Sequence, residues 1–272
     1  MTGATEAALG AVDPGTVDAG TVRLSRKGAV AHIVFDRPSA RNAMTWTMYS
    51  ELAAHCATIA ADPQIRVAVL RGAGGRAFVA GTDIAQFLAF REGQDGVVYE
   101  ERVDHFVSTL ERLMVPTIAV IEGWAVGGGM ALANACDFRL ATPGARFGVP
   151  IARTLGNCLS AANLRRLTAG LGLPMVRRML MLAEMPTAEE MPADWLRIVT
   201  PEAMEEALGA LCQHLEGLAP ITLQVTKKLL LRLQTEAAPE DGDLIARTYG
   251  SADFRAGVAA FLGKGAPVWT GG

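Results

Sequence analysis

Two short segments place small residues where a strand gives way to a helix, and their backbone N–H groups are suited to binding a negatively charged oxygen. They are FVAGTD, residues 78–83, and WAVGGG, residues 124–129. The first N–H groups of a helix have no acceptor within it, and the helix dipole adds positive potential. Side by side, the two segments would form an oxyanion hole with two donors. For either segment alone, tight turning and close packing are the favoured explanation of the glycines.

The glycines that follow the strand IRVAVLRG have the spacing of a dinucleotide fingerprint. Gly72, Gly74 and Ala77 fit GxGxxA. The next residues, FVAGTD, are not helical, and no acidic residue ends a second strand about twenty residues further on. We therefore do not expect a dinucleotide site.

No metal site is expected from the histidines, because they are isolated and form no HxxxH or HxxE cluster. They are His32, His55, His105 and His214. The four cysteines stand far apart without a CxxC pair, and no basic segment precedes an apolar one at the N-terminus. The sequence therefore predicts free thiols and a cytoplasmic protein.

Composition restricts the class of protein further. Of the 272 residues, 50% are hydrophobic and 19% are charged, which predicts a soluble globular chain with a sizeable core. The net charge of −3 comes without a basic stripe, so we expect no nucleic acid partner. The longest apolar stretches are interrupted by glycine and are shorter than a spanning helix, so no membrane association is expected.

The hydrophobic pattern predicts the elements that must hold the two segments. TVRLSRKGAVAHIVFDRP is expected to form two strands around a turn at Lys27 and Gly28, and IRVAVLRG and TIAVIEG to form buried strands. Residues 73–83 are expected to form a loop. Helices are expected in the stretches MTWTMYSELAAHCATIAAD, IAQFLAF and VVYEERVDHFVSTLERLM, after the glycine triplet, and through most of the chain beyond Leu155.

This order of elements favours an α/β core followed by a helical part. We predict a flexible N-terminal tail over residues 1–20, because that stretch has no periodicity and no basic residue. The core is predicted over residues 21–200 and a C-terminal helical region over residues 201–272.

From about Val22 to the C-terminus, the sequence resembles the crotonase, or enoyl-CoA hydratase/isomerase, family. DRPSARNAM is similar to its CoA-binding turn, AFVAGTDI and AVIEGWAVGGGMALANACDFRLAT to its two oxyanion loops, and GVAAFLGKGAPVW to its C-terminal tail. The resemblance implies a spiral of ββα units with a C-terminal helical trimerisation region. It also implies a homotrimer or a dimer of trimers.

The resemblance further implies which residues contact an acyl-CoA substrate. The N–H groups of Ala80 and Gly128 would hold the thioester oxygen. The remaining residues implied to bind CoA are Ser39, Ala40, Arg41, Gly81, Thr82, Asp83, Ile84, Phe261 and Lys264. Phe261 and Lys264 would reach the nucleotide end of a CoA on a neighbouring subunit, although plain helix packing and an ordinary tail lysine are the alternatives. No cofactor is implied beyond the CoA of the substrate, and no metal.

At two positions the sequence departs from the family's hydratases, which use a pair of glutamates. Ala131 stands three residues after Gly128 and Ile151 stands just after a proline, where the glutamates are expected. A side chain at 131 lies one helical turn beyond Gly128, on the same face, and so would project into the pocket. Neither side chain transfers protons, so hydration by the usual pair is not expected.

Other side chains are candidates for moving protons. They are Asp83, Glu100, Glu101, Asp104, His105, Arg153, Asn157 and Cys158. Structural roles compete with these, since Asp83 is placed to cap a helix beginning at Ile84, Asn157 to cap one beginning near Leu159, and Cys158 to act as a small buried hydrophobe.

Three interpretations remain open. Another side chain carries the proton, or the reaction needs only enolate stabilisation, as in decarboxylation of a malonyl-type thioester with Arg153 orienting a second carboxylate. In the third, the protein is a catalytically inactive acyl-CoA binder. The sequence predicts an enzyme of this family acting on an acyl-CoA thioester, with isomerase, decarboxylase or other non-standard chemistry.

Overall fold

The computed structural model describes residues 19–234 and 242–269. Most of the predicted N-terminal tail, residues 1–18, lies outside the described residues. Within them, strands and helices alternate through the first half of the chain, and helices prevail in the second.

In the described residues, nine strands form two sheets. They are β1 (Thr21–Lys27), β2 (Val30–Asp36), β3 (Val67–Gly72), β4 (Ala77–Ala80), β5 (Thr117–Ile121), β6 (Trp124–Val126), β7 (Phe138–Ala141), β8 (Arg146–Gly148) and β9 (Arg197–Ile198). The larger sheet has the order β1-β2-β3-β5-β7-β9, and every pair in it is parallel except the hairpin β1-β2. The predicted hairpin and the predicted strands β3 and β5 are therefore confirmed.

The smaller sheet, β4-β6-β8, is parallel throughout and was not predicted. Its strands have four, three and three residues. The predicted loop over residues 73–83 is wrong at residues 77–80, where β4 forms. Such short strands carry almost no period-two pattern, and parallel pairing with segments far along the chain stabilises them.

Nine helices form within the described ranges, some on the sheets and some on other helices. They are α1 (Trp46–Ala61), α2 (Gly93–Glu111), α3 (Gly128–Ala135), α4 (Ile151–Thr154), α5 (Ala161–Met181), α6 (Met204–Glu216), α7 (Pro220–Gln234), α8 (Gly242–Tyr249) and α9 (Ala252–Leu262). Short 3₁₀ helices form at Pro38–Ala40, Ile84–Ala89, Ala188–Glu190 and Pro201–Ala203. None of the helices in the described ranges is long and apolar enough to span a membrane.

Alternation along β3 divides the core between the two faces of the larger sheet. Val67 and Val69 point to one face, where they pack with α6, whereas Ala68 and Leu70 point to the other and join the main core. Both faces are apolar because helices cover both, as is usual for parallel sheets. The main core contains residues of α1, α2 and α3. Helix α3 begins at Gly128, in the second glycine segment.

A charge network fixes α2 against α5. The Arg166 guanidinium is largely buried and forms ion pairs with Asp104 and with Glu111, the latter at 2.9 Å, and it donates to Ser108 Oγ at 2.7 Å. A buried guanidinium is tolerated only when its donors are satisfied. The pairs therefore hold in place the part of α2 that covers the pocket.

We predict that Gly129→Ala destabilises the fold, because a Cβ at Gly129 would stand 1.9 Å from the carbonyl oxygen of Val79 in β4. Helix α3 would have to move away from the strand, at a cost of about 1–3 kcal/mol in the free energy of unfolding. Urea denaturation of the purified variants measures this.

Gly209→Ala is the matched control. Gly209 also lies inside a helix, α6, and a Cβ there meets nothing within 4 Å. This variant should gain up to about 1 kcal/mol from helix propensity. Equal effects of the two substitutions would contradict close packing of α3 on β4.

Candidate active site

The smaller sheet brings the two glycine-containing segments together. Strands β4 and β6 pair in parallel with Ala80 opposite Val126. Both following segments therefore leave the sheet at the same edge. A Cβ at Gly127 would lie 3.5 Å from the Cα of Gly81, so the two segments are in contact.

One unpartnered donor is the N–H of Gly128. This residue is the first of α3, so its N–H has no acceptor inside the helix. No other backbone or side-chain acceptor contacts it among the described residues. The neighbouring N–H of Gly127 is occupied, because it donates to the carbonyl oxygen of Gly148 at 2.9 Å.

The second donor differs from the predicted one. The N–H of Ala80 donates to the carbonyl oxygen of Arg41 at 3.1 Å, so it is not available to a ligand. Two residues further, the N–H of Thr82 has no acceptor in the described part of the chain. The flanking groups, Gly81 C=O and Asp83 N–H, both bond to Met44 at 2.9 Å, which leaves the Thr82 amide directed to the other side.

Three hydroxyl groups surround this pair of amides. Thr82 Oγ1 accepts from the Tyr99 hydroxyl at 3.0 Å and lies 3.0 Å from the Tyr49 hydroxyl. A Cβ at Gly128 would stand 2.7 Å from the Tyr49 oxygen. Burial raises the pKa of Tyr49 to about 12 and the pKa of Tyr99 well above its usual value. Both phenols therefore stay protonated near neutral pH and act as neutral dipoles.

These tyrosines were not predicted as site residues. Tyr99 is four residues before Val103, another pocket residue, so helical spacing on α2 gave a weak signal for it. Tyr49 lies on α1, and nothing in its sequence neighbourhood indicates contact with a segment about eighty residues away.

The amides open into a cavity of about 160 Å³. Most of its wall is apolar, with Ile84, Phe87, Val103, Val126, Ala131, Val149, Ile151, Leu155, Leu159 and Phe261. Ala131 and Ile151 both line it, as the family pattern implied for the residues at these positions. A methyl and a branched alkyl group therefore stand where a hydratase would have carboxylates.

The polar side of the cavity is built around Glu100, which is 2% exposed. Its Oε2 accepts from the Ser160 N–H at 2.8 Å and its Oε1 from the Tyr249 hydroxyl at 2.7 Å. Asn157 Nδ2 donates to the same Tyr249 oxygen at 3.1 Å. Of these residues, Glu100 and Asn157 line the cavity. Tyr249 comes from α8, so the predicted C-terminal region contributes to the site.

The contacts of Asp83 are those of a helix cap and an ion pair. Its carboxylate accepts from the Ala85 N–H at 3.1 Å, which confirms the predicted helix cap, and it pairs with buried Arg37 at 2.9 Å. It does not line the cavity. The predicted cap role of Asn157 is wrong, because Ser160 caps α5 by accepting from the Asn163 N–H.

Five other candidates also fall outside the cavity wall. Glu101 and His105 are exposed on α2, and Asp104 on the same helix pairs with Arg166. Arg153 is exposed on α4, and Cys158 is partly buried against the main core. A proton-carrying role for any of the five stays untested.

The segment resembling a CoA-binding turn lies beside the first loop. Ser39 and Ala40 belong to a 3₁₀ helix that ends at Arg41, whose φ of 51° is left-handed. The bond from Ala80 to Arg41 ties this turn to the loop. Ser39 and Arg41 are exposed, and neither lines the cavity. Their contact with CoA stays a prediction.

At the C-terminus, Phe261 of α9 lines the cavity of its own chain. The resemblance had placed it against a neighbouring subunit. Aromatic contacts hold α9 there, since Phe254 packs on Phe87 with ring centroids 5.7 Å apart. Lys264 is exposed in the turn after α9 and does not line the cavity.

Known proteins resemble this chain over most of its length. A family model described as Enoyl-CoA hydratase/isomerase matches residues 25–272. The chain is 29% identical over 263 residues to (E)-benzylidenesuccinyl-CoA hydratase from Thauera aromatica, covering 92% of this chain and 99% of that protein.

Two solved structures superimpose on this chain over most of its length. An enoyl-CoA hydratase/carnithine racemase from Magnetospirillum magneticum superimposes with a TM-score of 0.75 at 30% identity, over 94% of this chain and 97% of that one. Methylmalonyl-CoA decarboxylase in complex with 2-nitronate-propionyl-CoA superimposes with a TM-score of 0.84 at 24% identity, over 93% of this chain and 99% of that one. The second likeness concerns the fold alone.

Proposed function

The chain belongs to the enoyl-CoA hydratase/isomerase family, and from that premise we propose that it acts on an acyl-CoA thioester whose carbonyl oxygen is bound by the N–H groups of Thr82 and Gly128. The supporting observation is that these two amides, from separate loops, have no acceptor in the described residues and meet at one apolar cavity.

The proposal follows from where charge develops in thioester chemistry. Removing an α proton, adding a nucleophile at the β carbon and losing carboxylate from the α carbon all place negative charge on the carbonyl oxygen. A preorganised donor aimed at that oxygen typically lowers the barrier by about 2.7–4 kcal/mol. The apolar wall strengthens the effect, because no bulk water screens the charge.

The reaction itself is proposed to be other than hydration by two glutamates. Ala131 and Ile151 offer no proton transfer. Isomerisation, decarboxylation and related enolate chemistry remain. No lysine or arginine lines the cavity among the described residues, and Glu100 does line it. Decarboxylation needs no proton carrier to form the enolate, whereas isomerisation needs one, and Glu100 is the carboxylate that lines the cavity among the described residues.

A second candidate is a catalytically inactive acyl-CoA-binding protein. Ala131 and Ile151 favour this candidate, because they transfer no protons while the cavity would still bind an acyl group and polarise its carbonyl. Turnover separates the candidates. When mixed with enoyl, 3-hydroxyacyl and malonyl thioesters of CoA, only the enzyme forms a product that mass spectrometry detects.

The first test of this proposal removes one donor. Gly128→Pro deletes the N–H at the first position of α3, where proline is well tolerated. A nitronate analogue of propionyl-CoA mimics the enolate, and calorimetry measures its affinity. We expect Gly128→Pro to bind it about 10²–10³-fold more weakly than the control, in line with loss of an oxyanion donor.

Gly128→Ala is that control, because it adds the same Cβ beside the Tyr49 oxygen but keeps the N–H. Similar affinities of the alanine and proline variants for the nitronate would argue against Gly128 as a donor.

The second test restores the two carboxylates. Ala131→Glu combined with Ile151→Glu should produce crotonyl-CoA hydration, followed by loss of the enoyl absorbance. Each correctly placed acid–base group typically contributes ~10²–10⁴-fold. We expect the double variant to exceed both single variants, since hydration needs an acid and a base together. A folded double variant without any gain would mean that these positions are not aligned with the bound acyl group.

We also propose that the chain assembles as a trimer or as a pair of trimers, which the family resemblance implies. Helix α7 supports self-association, because it exposes apolar side chains four residues apart: Ile221, Val225, Leu229 and Leu233. All four are at least half exposed in the single chain.

Light scattering tests the assembly. Leu229→Glu should lower the molar mass to that of a single chain, whereas Leu173→Glu, at a similarly exposed position on α5, should leave it unchanged. A parent protein that is monomeric at micromolar concentration would contradict the proposal.

A further inference from the structure

The Thr82 side chain lies beside the two unpartnered amides and forms two hydrogen bonds of its own. Its Oγ1 is 3.0 Å from the hydroxyl oxygen of Tyr49 and 3.0 Å from that of Tyr99. The Thr82 hydroxyl has no further partner in the described part of the chain, and Thr82 lines the cavity. Three hydroxyl groups therefore carry three protons for two hydrogen bonds, so one proton is left without an acceptor.

The two phenolic protons are both committed to Thr82 Oγ1. The Tyr99 hydroxyl donates to it. The Tyr49 side chain is fully buried, and among the described residues its hydroxyl has no other hydrogen-bond partner. Burial raises the pKa of Tyr49 to about 12, so this phenol keeps its proton. If Thr82 donated to Tyr49 instead, that phenolic proton would be buried without an acceptor, which native structures avoid.

The proton left over is therefore that of the Thr82 hydroxyl. Its oxygen has two lone pairs, and both accept from the tyrosines, so the group can only donate further. Thr82 is partly exposed on the cavity wall, whereas Tyr49 is not exposed at all. A Cβ on Gly128 would lie 3.3 Å from Thr82 Oγ1, which places this hydroxyl next to the residue that provides the other amide.

We propose that the Thr82 hydroxyl is a third donor to the thioester oxygen, acting beside the N–H groups of Thr82 and Gly128. This inference rests on the proposed acyl-CoA function of the same cavity. The backbone nitrogen and Oγ1 of one threonine are close enough to donate to a single oxygen. A hydrogen bond is stronger to an ionised oxygen than to a neutral carbonyl, so the hydroxyl favours the enolate over the bound substrate. Tyr49 and Tyr99 are positioning residues that act through Thr82.

The test compares two ligands of the full chain, propionyl-CoA and its nitronate analogue, by calorimetry. Only the nitronate carries the charge of an enolate, so the ratio of the two dissociation constants reports the donors that act on that charge. Thr82→Val has nearly the same shape and keeps the N–H but loses the hydroxyl. We expect its preference for the nitronate to fall by about 10–10²-fold, as for loss of a hydrogen bond to a charged group.

Three variants assign the effect to the hydroxyl. Thr82→Ser keeps both donors and should retain most of the parent's preference. Thr82→Ala removes the hydroxyl without placing a methyl group against the two phenols, and it gives the same readout should the valine variant not fold. Thr154→Val is the control, since Thr154 also lines the cavity but its hydroxyl already donates to the Pro150 carbonyl oxygen at 3.0 Å. Its preference should equal that of the parent.

Tyr49→Phe tests the direction of the hydrogen bond between Tyr49 and Thr82. In the proposed direction the Thr82 proton is already available to a ligand, so removing the phenolic oxygen does not increase the preference for the nitronate. An increased preference would show that Thr82 donates to Tyr49 in the parent protein, which overturns the inference.

Two other results refute the inference and differ in what else they remove. If Thr82→Val and Thr82→Ala keep the parent's preference, the hydroxyl does not act on the charged oxygen, while the two amides and the proposed function stand. If the parent protein binds neither ligand, the acyl-CoA function fails with it.

Discussion

Parallel pairing of two very short strands is the constraint on which the site depends. β4 and β6 have only seven residues between them, yet their register, with Ala80 opposite Val126, sets where both following segments begin. In a parallel pair both chains leave at the same edge, so two amides from distant segments meet without a long loop. The absence of a side chain at Gly129 lets α3 lie directly on β4, which fixes the Gly128 N–H. The donors are thus positioned by backbone geometry.

The cavity wall divides into two chemically different parts. The amides sit among apolar side chains and neutral hydroxyls, which suits an oxygen that gains charge only during the reaction. The other part contains the Glu100 carboxylate, whose charge is balanced by hydrogen bonds from the chain itself. Glu100 accepts from the Tyr249 hydroxyl, whose oxygen in turn accepts from Asn157 Nδ2.

Local features of the site were predictable from sequence, and features that depend on distant contacts were not. The cap at Asp83 was predictable from the residue type and its place before Ile84, and in the structure the Asp83 side chain accepts from the Ala85 N–H. The meeting of the two glycine segments followed from their positions after strands. The first donor was misassigned to Ala80, because the amide of Ala80 is taken by the carbonyl of Arg41, some forty residues earlier. Tyr249 was missed because its spacing relates to no other site residue, and only the packing of α8 on α2 brings it to Glu100.

The placement of Tyr249 has a consequence for how such chains diversify. Thr82 and Gly128 lie in the α/β part of the chain, whereas Tyr249, which donates to Glu100 and accepts from Asn157, lies in the C-terminal helices. The two unpartnered amides and the hydrogen-bond partner of Glu100 therefore come from separate stretches of the polypeptide. A chimera that exchanged the C-terminal helices of two relatives would keep the backbone amides of one parent and take the residue that donates to Glu100 from the other.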